Sequence, residues 1–255
     1  MKNRKRILKR VFNLSASLLV LGILGLAAPA MAEPVDAVQI EGHRCLVTGP
    51  AIISDDAPVV FILHGLGGNA ENLYGLIEKM NLPPCRYVLP DAPLTIGDRA
   101  YAWYNFQTQD RDDMVHSRDY LFTLMKYFST EGEEKGHVRP IILMGFSQGG
   151  VMSLEAGLNY PGKVTAIVSM SGYIWYPSKT LAHPLAPLSI PLLVVHGTKD
   201  EIVTEEWTQK TVKALKRAGY QPVFKEFPIA HQISLDSLTA VSKFLQAVLA
   251  HITEK

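Results

Sequence analysis

Short apolar runs recur along the chain at Val59–Leu63, 87–89, 141–144, 166–170, 192–195 and Val223–Phe227. Most contain β-branched residues and are followed by turn formers. Apolar residues at successive rather than alternate positions predict strands covered on both faces. Between the runs lie stretches with the helical period. In 114–128, Met114, Leu121, Leu124, Met125 and Phe128 share a face, and 151–158, 205–218 and 234–251 are also helix-like. Gly219 stands where a helix C-cap belongs and Ser234 where an N-cap belongs. Segment 38–47 adds one or two edge strands. Alternating strands and helices predict an α/β fold, a mostly parallel sheet with helices on both faces. No repeat or low-complexity linker interrupts the pattern, so 33–255 reads as one domain. The longest irregular stretch, 173–190, carries Pro177, Pro184, Pro187 and the apolar group Tyr173-Ile174-Trp175-Tyr176. It reads either as a binding loop or partial lid, or as a surface connection with packed aromatics.

The first 32 residues break this pattern. Lys2, Arg4, Lys5, Arg6, Lys9 and Arg10 come without an acid, residues 11–28 are mostly apolar, and Ala30-Met31-Ala32 precedes Glu33. Basic head, apolar middle and small-residue exit predict a secretory signal peptide cleaved after Ala32, hence a secreted or periplasmic protein. The alternative is an uncleaved anchor, because about 18 apolar residues just span a bilayer. Polar Asn13, Ser15 and Ser17 shorten the greasy stretch. Cleavage would leave no stable membrane span.

Export changes the charge picture. The 255 residues include 25 basic and 24 acidic side chains; six of the basic ones lie in the leader, so 19 face 24 beyond it, a formal −5. That balance does not suggest a basic nucleic-acid surface, and no nucleic-acid partner is expected. With 47% hydrophobic and 19% charged residues, the composition is that of a globular core. Oligomeric state is not legible in it. Cys45 and Cys85 form one disulfide in an oxidising compartment, or remain two separate thiols, and neither has the C-x-x-C spacing of a zinc site.

The candidate chemistry starts at Gly145-Phe146-Ser147-Gln148-Gly149, a G-x-S-x-G set between a predicted strand and a predicted helix. That context defines a nucleophile elbow: a strained turn presents the serine outward, and glycines let strand and helix approach. A serine hydroxyl needs a base, and the base needs an orienting acceptor. In a doubly wound sheet both come from loops after later strands. Asp200 follows the 192–195 run and His231 follows Val223–Phe227, giving the order Ser147, Asp200, His231. Glu201 adjoins Asp200, Asp236 lies one turn into the last helix, and His251 falls near its exposed end. His196 reads as a brace of its strand end, and His43, His116, His137 and His183 come too early. Acyl transfer also needs oxyanion donors. The turn His64-Gly65-Leu66-Gly67-Gly68-Asn69 follows an early strand, so the backbone N–H groups of Leu66 and Gln148 are the candidates, with His64 holding the loop.

These residues, as "HGLGGN", "PDAP", "AWYNF", "GFSQGG", "SGYI", "HGTKDEIV" and "AHQIS", occur in the order seen in the phospholipase/carboxylesterase family of α/β-hydrolases, which the chain resembles over roughly 38–252. The resemblance implies an α/β-hydrolase fold, Ser147 as nucleophile, Asp200 as orienter, His231 as base, and Leu66 and Gln148 as oxyanion donors. Two departures bear on the substrate entrance. Asn105 stands where family members commonly have Asp after Trp-Tyr, and Ile229-Ala230 where they often have a glycine-containing turn. The leader is unlike the cytosolic thioesterases of the family and argues against lipid removal from cytosolic proteins.

The expectation is an exported serine carboxylesterase acting on a small-molecule or lipid ester, with thioesters and lysophospholipids open and no cofactor required. Leu66, Trp103, Phe106 and Trp175 are the candidate apolar lining, favouring uncharged acyl chains over peptides. The acidic run 110–113 lacks the spacing and glycine of a calcium loop and suits a helix N-terminus instead, so no metal is expected. A non-catalytic binding protein and a serine peptidase on the same fold are the rival readings.

Overall fold

The computed structural model describes residues 36–50, 53, 54, 56–108, 111–130 and 138–253. The predicted leader at 1–32, His137 and Asp110 lie outside these residues. Among the described residues no helix is long and apolar enough to cross a membrane.

Alternation along the central strands sets the layering. In β3 (Val59–Leu63), Val59, Phe61 and Leu63 face one apolar cluster while Val60 and Ile62 face another. In β7 (Ile141–Phe146), Ile141 and Leu143 divide from Ile142 and Met144 in the same way. Both faces are therefore core, each buried side chain of this size contributing about 1.5–3 kcal/mol. Helices α2 (Arg111–Thr130), α3 (Gln148–Asn159) and α5 (Glu205–Arg217) cover the first face. The other is covered by a 3-10 turn (Ala70–Leu73), α1 (Leu76–Met80) and α6 (Leu235–Thr253). The remaining strands are β1 (Asp36–Ile40), β2 (His43–Thr48), β4 (Arg86–Pro90), β8 (Val164–Met170), β9 (Leu192–Gly197) and β10 (Val223–Phe227). The sheet order is β1-β2-β4-β3-β7-β8-β9-β10, antiparallel where β2 meets β1 and β4 and parallel from β4 to β10. This is the α/β-hydrolase arrangement expected, and it brings the carboxyl ends of β3, β7, β9 and β10 to one edge.

Several expectations need correction. Val223–Phe227 is not covered on both faces: β10 is the sheet's last strand, and Val223, Lys225 and Glu226 are exposed. Charged side chains on such an edge discourage pairing with another chain. Cys45 and Cys85 are separate buried thiols. Cys45 pairs in register with Pro90, so Cys85 lies five positions back along the neighbouring strand. That is about 16 Å at the usual strand rise, far beyond disulfide reach. They also belong to opposite faces, Cys45 against the Tyr120 hydroxyl at 3.5 Å and Cys85 in the other cluster. Burial pushes their thiols up to about 11 and about 12, which keeps both inert at neutral pH.

The 173–190 stretch divides. Tyr173, Ile174 and Trp175 are core residues, α4 (Pro177–Thr180) follows, and Leu185 and Ala186 donate to the Leu158 carbonyl. Such anchoring supports a packed connection rather than a lid. A two-stranded ribbon, β5 (Leu94–Gly97) and β6 (Ala100–Ala102), gave no apolar signal because most of it is exposed or half-buried.

Candidate active site

Ser147 sits between β7 and α3 at φ 57°, ψ −119°, a region costing a non-glycine residue about 1–3 kcal/mol. Its N–H donates to the Met170 carbonyl at 2.9 Å, which holds the turn. The glycines make the turn possible. A Cβ on Gly145 would lie 2.3 Å from the Gly149 oxygen, and one on Gly149 would lie 2.1 Å from the Leu63 oxygen. Strand β7, helix α3 and strand β3 therefore meet at backbone distance around the serine.

Asp200 follows β9. Its Oδ1 accepts the N–H groups of Ile202 and Val203, both at 2.9 Å, which locks the carboxylate. Its Oδ2 lies 2.7 Å from His231 Nδ1, and His231 Nε2 lies 2.9 Å from Ser147 Oγ. An ionised Asp200 only accepts, so Nδ1 carries the proton and Nε2 is left to accept from the serine hydroxyl. The Phe146 ring packs against the imidazole at 4.8 Å. The arrangement can move a proton from a nucleophile to a base whose orientation is fixed. Of the competing groups, Glu201, Asp236 and His251 are exposed and stand outside this array, while buried His196 is held by Thr208 Oγ1 at 2.9 Å.

The loop after β3 reaches the same place: a Cβ on Gly65 would lie 3.3 Å from Ser147 Cβ. Leu66 follows it, and Gln148 opens α3, where first-turn N–H groups lack helical acceptors. His64 braces this loop. Its Nε2 accepts the Ala92 N–H at 3.1 Å, so Nδ1 carries the proton and donates to the Gly65 carbonyl at 2.7 Å.

Burial pushes the His64 imidazole down from its ordinary 6.5 to about 4. The unfolded chain takes up this proton near 6.5, whereas the folded chain refuses it until about 4. Stability present above that ordinary value is therefore lost as pH falls through the interval, by up to about 3 kcal/mol from this group. Burial lowers His43 and His196 as well, so they act in the same direction. Urea unfolding at neutral pH and near pH 4.5 is expected to show a smaller stability loss for His64→Gln than for the parent chain. Equal losses would remove His64 from the account.

A cleft of about 500 Å³ opens beside Leu66 and is lined further by Leu94, Ile96, Ala102, Tyr104 and Phe106. Phe106 thus stands where the sequence placed it. Trp103 does not: it is 0% exposed, with its indole N–H donating to the His64 carbonyl at 2.9 Å. Trp175 is not part of the lining either; it packs behind it, 5.7 Å from Tyr104 and 4.9 Å from Phe106 between ring centres. Buried aromatic rings and pocket walls look alike in a sequence, so aromatic character alone places Trp103 and Trp175 in the lining. The β5–β6 side of the cleft was missed altogether. Asn105 opens a turn, its Oδ1 accepting from Gln107 N–H at 2.9 Å, and its own N–H donates to Asp113 Oδ2 at 3.0 Å. Asp113 is thereby tied to the cleft's rim, and Asp112 and Asp113 occupy the first turn of α2. Among the described residues no three His, Cys, Asp or Glu side chains are grouped to hold a metal ion.

The sequence profile of the phospholipase/carboxylesterase family matches residues 49–249. Acyl-protein thioesterase 1 of Gibberella zeae is 30% identical over 222 residues, covering 78% of this chain and 94% of that protein. Among solved structures, Zea mays acyl-protein thioesterase 2 superposes with a TM-score of 0.68 at 23% identity, covering 81% of this chain and 99% of that one. Esterase PE8 gives a TM-score of 0.65 at 25% identity, over 79% of this chain and 99% of its own.

Proposed function

Because the chain belongs to the phospholipase/carboxylesterase family and is a serine hydrolase of ester or thioester bonds, we propose that it is an exported carboxylesterase with Ser147, His231 and Asp200 as its triad. The observation that carries this reading is the unbroken chain of contacts, 2.9 Å from Ser147 Oγ to His231 Nε2 and 2.7 Å from Nδ1 to Asp200. Ser147 Oγ attacks the acyl carbonyl as His231 takes its proton. The N–H groups of Leu66 and Gln148 receive the developing oxyanion. The imidazolium, stabilised by Asp200, protonates the departing alcohol or thiol and leaves an acyl-serine. Water then loses a proton to the same histidine and attacks the acyl carbon, and the imidazolium returns that proton to Ser147 Oγ as the acid is released. Every step uses groups of this chain.

The apolar cleft beside Leu66 favours an uncharged acyl chain, and a lysophospholipid or a thioester fits the same requirement. Export rests on the basic, apolar and small-residue succession of residues 1–32. N-terminal sequencing of protein recovered outside the cytosol should begin at Glu33.

The test is a panel on the chain from Glu33 onward: p-nitrophenyl esters of increasing acyl length, a thioester, a lysophospholipid and a peptide amide. A fluorophosphonate should attach to Ser147 and abolish turnover in step with labelling. kcat/KM should rise with acyl length until the cleft is filled, and the amide should be turned over far more slowly. No labelling would favour the binding-protein reading, faster amide cleavage the peptidase reading. A flat acyl series would overturn the assignment of the cleft.

A further inference from the structure

Two separate loops supply the proposed oxyanion donors, one after β3 for Leu66 and one at the start of α3 for Gln148. Trp103 touches both. Its indole Nε1–H donates to the His64 carbonyl at 2.9 Å. Its backbone N–H donates to Gln148 Oε1 at 3.0 Å, and Gln148 Nε2 donates in return to the Tyr104 carbonyl at 2.9 Å. On α2, the Ser117 hydroxyl donates to the Trp103 carbonyl and fixes it from behind. With no exposed surface, the indole makes its contact to the His64 carbonyl out of reach of water.

The contact to His64 propagates to the donor. His64 Nδ1–H and the Gly68 N–H, at 2.7 and 3.1 Å, both reach the Gly65 oxygen. That oxygen belongs to the same peptide group as the Leu66 nitrogen. A peptide group is planar and trans, so fixing its oxygen fixes the direction of its N–H. The two successive peptides leading to Leu66 are thus pinned, the first by Trp103 and the second by His64. The backbone contacts of residue 103 would persist with another side chain, whereas the contact to the His64 carbonyl is the one that the indole N–H alone makes.

We propose that Trp103 is a positioning residue whose indole N–H, through the His64 carbonyl, sets the direction of the Leu66 N–H and its spacing from the Gln148 N–H. The inference rests on the reading of Ser147 as nucleophile with those two donors.

The test compares the parent chain with Trp103→Phe, which keeps an aromatic ring and loses the indole donor. A second variant replaces Trp103 by benzothienylalanine, which has the shape of tryptophan without its N–H. For each, kcat and KM are measured on one p-nitrophenyl ester, with the inhibition constant of a trifluoromethyl ketone whose hemiketal oxygen occupies the hole. Losing one oxyanion donor outright costs about 10²–10³ in kcat, so a misaimed Leu66 N–H should cost roughly 10- to 100-fold. KM should stay within about twofold, and affinity for the ketone should fall by the same factor as kcat/KM. The acid limb of the pH–rate profile should not move, because Trp103 contacts neither His231 nor Asp200.

A folded variant whose kcat and ketone affinity stay within about twofold of the parent would overturn the inference, as would a loss confined to KM. If Trp103→Phe fails to fold, the benzothienylalanine variant decides. Ser147→Ala runs alongside. Turnover in that variant overturns the parent reading and this one together, whereas an inert Ser147→Ala beside an unimpaired Trp103 variant overturns this one alone.

Discussion

Ser147→Ala and His231→Ala are each expected to lower kcat for ester hydrolysis by about 10⁶-fold, and Asp200→Asn by about 10⁴-fold. The magnitudes follow from what each removal leaves. Without the Ser147 hydroxyl there is no acyl-enzyme, and only water held near the Leu66 and Gln148 amides remains. Without His231, Ser147 keeps its proton, because the base 2.9 Å away is gone. Asp200→Asn keeps an acceptor for the Ile202 and Val203 N–H groups, now at 2.9 Å from Oδ1. Its amide presents a donor where His231 Nδ1–H needs an acceptor, which turns the imidazole to the wrong tautomer. Because the three act as a unit, the Ser147→Ala/His231→Ala pair should be no slower than either single variant. KM should change little, since the cleft beside Leu66 is untouched. Steady-state and single-turnover kinetics on one p-nitrophenyl ester measure all of this. Multiplicative losses in the double variant would mean that serine and histidine serve separate steps.

The groups of this array were legible because each marks a break in a pattern. Ser147, Asp200 and His231 each follow a strand, where a buried run gives way to a turn, and that edge is where an α/β sheet exposes chemistry. Gly145 and Gly149 were legible as space for a close approach, and the 2.3 and 2.1 Å clashes of a Cβ give that reading a distance. Other features depend on contacts between residues far apart in the chain. Gln148 was given a backbone role, yet its side chain also clamps the Trp103 and Tyr104 backbone some 45 positions away. Trp103 read as pocket lining because aromatic character does not reveal which side of a wall a ring occupies. Pairing of Cys45 and Cys85 turned on register, and one strand pairing placed them out of reach. The exposed β10 looked like its buried neighbours because strand order, rather than local composition, makes a strand the last in a sheet.

Gly197→Ala is expected to lower kcat by about 10²-fold while costing about 1–3 kcal/mol of stability. The Cβ would stand 2.4 Å from the Ile229 oxygen and 2.7 Å from the Ala230 oxygen. Both are backbone atoms, so no rotamer change relieves the overlap and the loop itself has to move. His231 is the next residue and moves with it, away from Ser147 and Asp200. The same strand end holds this loop by hydrogen bonds, Thr198 N–H to the Phe227 carbonyl at 2.8 Å and Lys199 N–H to the Ile229 carbonyl at 3.0 Å. Asp200 is anchored there too, its N–H donating to the Gly197 carbonyl at 3.0 Å. The proposed base and orienter therefore share one foundation, and Gly197 provides the room for it. Gly75→Ala is the control, with nothing within 4 Å of its added Cβ and φ −63°, and should stay within about 0.5 kcal/mol of the parent. Urea melts and kcat for the two variants separate the effects. An unimpaired kcat in Gly197→Ala would show that the His231 loop is held in place by something other than its seat on β9.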